Sequence, residues 1–108
     1  LDILCEQGLL FPTEIAEQWY FSGDDLLLVQ VYQSLERLGL PLSLPALIRF
    51  QMRQLVRSEV AAVEQHVLPH WHEDGLPLEQ QTANFEEIMV LTDTLISVMH
   101  RRLLYLQD

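Results

Sequence analysis

The side chains of this sequence that could do chemistry fall into three groups. His66 and His70 stand four residues apart, a spacing that puts two imidazoles on one helix face as zinc sites use. Trp71, His72, Glu73 and Asp74 follow directly, whereas His100 lies far along the chain. Pro69 sits between the paired histidines, no His-Glu-x-x-His motif is present, and no thiol is near in sequence. The reading is therefore a polar corner between helices with Trp71 packed on it, and neither metal nor cofactor is expected. The alternative kept open is an effector pocket formed by His66, His70 and Trp71. The second group is Arg49, Arg53 and Arg57, an i, i+4, i+8 row that carries half of the positive charge. It suits phosphates, and equally a solvated stripe, Glu59, a neighbouring acidic helix end or a second subunit. The third is Trp19-Tyr20-Phe21. On a strand, Trp19 and Phe21 share one face and Tyr20 takes the other. Trp19 and Phe21 read as core, or Trp19 and Tyr20 as contact anchors for a partner.

Nothing else suggests catalysis. There is no Gly-rich phosphate loop and no nucleophile elbow. The carboxylate pairs Asp24/Asp25, Glu73/Asp74 and Glu86/Glu87 are adjacent in sequence, so on helices their members point in different directions. An enzyme is not expected. Cys5 stands alone, which excludes an intramolecular disulfide and suits a small buried residue in a reducing, cytoplasmic setting.

Composition narrows the partners. The 108 residues carry sixteen acids against six arginines, for a formal net charge of −10. Affinity for nucleic acid rests mainly on basic side chains neutralising phosphates, so this balance argues against a generic phosphate-binding surface and favours a basic partner or solubility. Apolar residues make up 49%, enough for a core, but a chain this short often needs a partner surface as well. No apolar run approaches a membrane span and no signal-peptide pattern is present.

The elements that must position these groups are mostly helices. A short helix over residues 1–7 ends at Gly8. Residues 13–17 and 18–21 form a two-stranded wing. Ser22 and Asp25 then open a capped helix over Leu26, Leu27, Val29, Val31, Tyr32, Leu35 and Leu38, stopped by Gly39 and Pro41. Ser43 caps the next helix, with Pro45 in its first turn. Its face opposite the arginine row carries Ile48, Met52, Leu55, Val56, Val60, Val63 and Val67. The four valines among these, Val56, Val60, Val63 and Val67, alternate by four, three and four as in a coiled coil. Pro69 ends or kinks this run, and Gly75 closes it. From Pro77 at the start, no breaker appears before Leu106. Phe85, Ile88, Thr92, Leu95, Met99 and Leu106 form one row of the last helix; Met89, Ile96 and Leu103 form a second beside it. A helix apolar on more than one side needs two neighbours. One is the preceding helix folded back as an antiparallel hairpin; the other is expected from a second subunit.

The ordered set resembles a known family. LDILCEQGLL at 1–10, followed by Pro12, looks like the end of the recognition helix and the Gly-Leu-Leu exit of the MerR family of winged helix-turn-helix transcriptional regulators. YFSGDD at 20–25 looks like that family's last wing strand and acidic helix start, and LGLPLSLPAL at 38–47 like its corner before the next helix. The resemblance covers residues 1–50. It departs where Asp2, Ile3, Leu4 and Cys5 replace the Arg and Tyr of the family's recognition helix, and where Trp19 replaces the wing Arg. The acidic chaperone-modulator proteins, MerR-like in fold, share a Trp-x-Phe wing and a segment similar to Pro12–Ile15; they bind the J-domain of a co-chaperone instead of DNA.

The expectation is an all-α fold: a partial MerR-like winged helix with a small two-stranded wing over 1–50, then a helical dimerisation or effector extension over 51–108. The resemblance implies a dimeric cytoplasmic transcriptional regulator whose DNA-reading residues are divergent or missing from this stretch, with a piece expected before residue 1. DNA would be met through the full-length protein, weakly helped by Arg49, Arg53 and Arg57. The alternative is an acidic protein-binding modulator that does not bind DNA. In either case the expected homodimer interface is Phe85, Ile88, Met89, Thr92, Leu95, Ile96, Met99, Leu103 and Leu106.

Overall fold

The computed structural model describes residues 2–107. Leu1, with which the expected first helix opens, lies outside the described residues. The chain is mostly helical with one small antiparallel sheet: α1 (Asp2–Glu6), β1 (Thr13–Ile15), β2 (Gln18–Tyr20), α2 (Gly23–Arg37), α3 (Ser43–Ala62), a π-helical turn (Val63–Val67), α4 (Leu68–Glu73) and α5 (Leu78–Tyr105). It divides into two compact units, Leu1–Val60 and Ala61–Asp108.

Three helices end in the same way, and the sequence shows why. α1, α2 and α4 are each followed by Gly-Leu: Gly8-Leu9, Gly39-Leu40 and Gly75-Leu76. Each glycine takes a left-handed φ, +70°, +100° and +61° in turn. Behind it the leucine N–H reaches back five residues, Leu9 to the Leu4 carbonyl, Leu40 to Leu35 and Leu76 to Trp71. The glycine N–H closes the shorter inner bond, so carbonyls that a helix end would orphan are satisfied.

In the first unit the core is small. Leu9, Leu10 and Tyr32 are buried, and Leu4, Cys5, Leu28, Val29 and Leu42 pack against them. Burying each of the two leucines contributes roughly 1.5–3 kcal/mol. α2 starts with a reciprocal cap: Asp25 N–H donates to Ser22 Oγ, and Ser22 N–H donates to Asp25 Oδ2. α3 starts differently from the expected Ser43 cap. The Leu42 carbonyl already accepts the Ala46 N–H, so Ser43 is inside the helix. Pro45 is buried in that first turn, where its missing N–H has no intrahelical partner to lose.

β1 and β2 pair antiparallel, Thr13 opposite Tyr20, Glu14 opposite Trp19 and Ile15 opposite Gln18. The two-residue turn between them places Ala16 and Glu17 at φ +51° and +65°, a conformation that Asn-Gly adopts far more easily. Every residue of both strands is exposed. Trp19 and Phe21 are therefore not core, at 61% and 41% exposure.

In the second unit the valine periodicity is interrupted. Over Val63–Val67 the backbone widens to a π turn, with Leu68 N–H donating to the Val63 carbonyl. Pro69 explains this. The proline ring collides with the carbonyl four residues back, and a wider turn moves that carbonyl out of its way. The chain re-enters an α-helix with Pro69 in its first turn. Pro77 is the N-cap of α5, and Gln81 Nε2 reaches back to the Leu76 carbonyl at 2.8 Å. α5 then runs 28 residues with none of them buried. No helix among the described residues is long and apolar enough to cross a membrane.

Candidate functional site

Three long-range side-chain bonds hold the first unit together and set up its surface. Tyr32 Oη donates to the Leu9 carbonyl at 2.7 Å in the core. Arg49 Nε, from α3, donates to the Gly8 carbonyl at 2.7 Å. Asp25 Oδ1 accepts the Phe11 N–H at 2.7 Å, while Oδ2 takes both the N–H and the hydroxyl of Ser22. The exit from α1 is thus tied to α2 and α3 at three points, Gly8, Leu9 and Phe11.

Asp25 is 1% exposed, yet it is charged and satisfied. The Phe11 N–H does most to hold its carboxyl below the usual carboxylate range; burial opposes this, and the two Ser22 donors add to it. Burial pushes the Tyr32 hydroxyl the other way, above 10.0, with the Asp25 charge contributing. Both shifts keep the hub in one protonation state through the neutral range. No buried side-chain nitrogen or oxygen among the described residues lacks a hydrogen-bond partner.

In the sequence Asp25 stands out only as a first-turn acid and Tyr32 only as part of an apolar stripe. The available signal was chemical: a tyrosine in a core stripe needs an acceptor for its hydroxyl. Which acceptor it finds depends on contacts 23 residues apart, which spacing alone does not give.

Beside this hub a groove of about 710 Å³ lies between α2 and α3. α2 contributes Leu28, Val31 and Leu35. α3 contributes two parallel rows, Ile48-Met52-Val56 and Arg49-Arg53-Arg57. The sequence reading set these rows on opposite faces, and the structure corrects it. Neighbouring positions are one residue apart, about 100° around a helix at 3.6 residues per turn, so one groove can be lined by both. Arg49 is committed to Gly8 through Nε. Among the described residues, Arg53 and Arg57 make no side-chain hydrogen bond to the protein.

The other candidate residues stay apart from this groove. Trp19 and Tyr20 stand exposed on β2, with Tyr20 Oη donating to Gln18 Oε1 at 3.0 Å. In the second unit His66 lies in the π turn and His70 and Trp71 in α4; both histidines are exposed and Trp71 is half-buried. Among the described residues no group of three or more His, Cys, Asp or Glu side chains could hold a metal ion. Cys5 is a free, half-buried thiol against the core.

Along α5, Phe85, Met89, Leu95, Met99 and Leu103 are exposed, as is Leu106 at its C-cap, while Ile88, Thr92 and Ile96 are half-buried. Val90, Leu91, Val98 and Leu104 are exposed too. Exposed apolar residues therefore occupy more than one side of this helix. Compared with known proteins, the chain matches no family model, no curated protein and no solved structure.

Proposed function

We propose that this chain is part of a dimeric MerR-like transcriptional regulator, with residues 1–50 as the wing and supporting helices of the DNA-binding end and α5 as the two-fold interface. The observation that carries this is α5: 28 residues, none buried, with exposed apolar positions on more than one side. Soluble monomers seldom expose contiguous apolar surface beyond a few hundred Å2, whereas a two-fold axis buries the same rows from both copies at once. The long helix also exceeds what a single-domain protein-binding modulator needs. The order wing, capped helix, glycine corner and second helix supports the resemblance in the same direction.

The test uses the natural protein that carries this chain and a library of random DNA duplexes at about 0.15 M salt. Enrichment of an inverted repeat supports the reading, because a two-fold protein reads two half-sites. Failure to retain any duplex overturns it.

A second reading has its own observation. Trp19 stands exposed where the MerR resemblance leads one to expect a wing Arg, and the chain carries a net charge of −10. That combination favours an acidic modulator that grips a basic protein surface, such as a J-domain, through Trp19 and Tyr20. In that case Trp19→Ala lowers affinity for a J-domain at least about tenfold, as loss of an aromatic anchor does, and no duplex is enriched.

A further inference from the structure

The groove between α2 and α3 is separate from α5 and from Trp19 and Tyr20, on which the two readings above rest. Its volume lies within the range of about 300–1,000 Å³ typical of ligand sites, but it is an open trough between two helices. Leu28 and Leu35 are half-buried, and Val31, Ile48, Met52 and Val56 are exposed. The arginine row runs along the same trough, in a chain whose only other positive side chains are Arg37, Arg101 and Arg102. Apolar wall and cationic edge are therefore parallel, set by the same i, i+4, i+8 period of α3.

We propose that this groove is a docking site for an acidic amphipathic helix of a partner protein, with its apolar stripe against α2 and α3 and its carboxylates on Arg53 and Arg57. The period decides between occupants. From Arg49 to Arg57 the row spans about 12 Å, at 1.5 Å per residue. A helix that carries acids at i, i+4 and i+8 beside an apolar stripe repeats both features at the same pitch. A long-chain carboxylate would fill the trough but has one headgroup, which can meet one arginine. A nucleic-acid backbone would meet the arginines, yet its phosphates would press against the six apolar side chains of the trough, which offer it nothing. Arg49 is already bonded to Gly8 and serves to fix the row in place.

The experiment titrates the full chain into a fluorescently labelled peptide of about 16 residues, about 24 Å long as a helix. The peptide has a leucine stripe edged by glutamates at i, i+4 and i+8. Matched versions carry lysine for glutamate or serine for leucine, and sodium dodecanoate and a DNA duplex serve as competitors. Anisotropy is expected to rise with the glutamate peptide only. Arg53→Glu with Arg57→Glu should weaken that binding at least tenfold, about 1.4 kcal/mol, and should gain the lysine peptide. If that pair fails to fold by circular dichroism, Arg53→Gln with Arg57→Gln replaces it, and its binding should be weaker and lose its salt dependence. The proposal is overturned by any of four results: no binding of the glutamate peptide, equal binding of the lysine or serine version, tighter binding of dodecanoate or duplex, or release of the peptide as rising chain concentration lets a second copy occupy the groove.

Discussion

Arg49 Nε donates to the carbonyl of Gly8 at 2.7 Å, across 41 residues of sequence. The same glycine holds φ at +70°, and a Cβ there would stand 2.6 Å from that nitrogen. One residue thus meets two demands, a left-handed helix exit and room for a guanidinium, and only glycine meets both.

Gly8→Ala is therefore expected to destabilise the chain by at least about 2 kcal/mol, summing roughly 1–2 kcal/mol for a left-handed side chain with about 1 kcal/mol for the displaced arginine bond. Urea unfolding measures this. In an Arg49→Ala background the same change should cost less, because only the backbone part remains. Equal costs in both backgrounds would show that the arginine and the glycine do not interact.

Tyr32→Phe removes one hydroxyl and leaves the buried Leu9 carbonyl without its 2.7 Å donor. The expected loss is about 1–3 kcal/mol, the range for stranding a buried polar group. A change within error of zero in the urea midpoint would mean that another donor reaches that carbonyl.

Asp25 gives the fold an acid limit. Its carboxyl is held below the ordinary 3.8, chiefly by the Phe11 N–H. A depressed carboxylate adds stability that is fully present above its unfolded value and is lost as pH falls through its folded value. The contribution of Asp25 should thus be present above 3.8 and be lost as pH falls further, through the lowered folded value. Asp25→Asn should be less stable at neutral pH and should lose part of that acid slope. An unchanged slope in the variant would assign the acid limit to other carboxylates.

The wing turn is strained, and the strain is local. Ala16 and Glu17 both hold positive φ. Replacing them by Asn and Gly fits the turn, with an expected gain of about 1 kcal/mol. Hydrogen exchange of the β1 and β2 amides should slow about fivefold, the factor that 1 kcal/mol gives. Faster or unchanged exchange would mean that the turn does not limit the hairpin.

The sequence showed most where the chemistry was local. Gly8, Gly39 and Gly75 each announced a helix end, and each ends one in the same motif. Ser22 and Asp25 announced a cap. What stayed hidden needed distance in sequence. The bonds from Tyr32 to Leu9, Arg49 to Gly8 and Phe11 to Asp25 join segments whose approach no periodicity encodes. The π turn was hidden for another reason. Pro69 signalled a break, but a proline alone does not say whether a chain ends, kinks or widens there; here it widens, with the Leu68 N–H donating to the Val63 carbonyl through a longer ring.

The pairing of two chains through α5 proposed above is tested by mass. Sedimentation equilibrium at micromolar concentration should give twice 12.6 kDa for the chain. Ile96→Asp with Met99→Asp should return it to a single 12.6 kDa species or to unfolded chain. A monomeric mass for the unaltered chain across that range would contradict the account, and would remove the reason to regard α5 as the two-fold interface of a regulator.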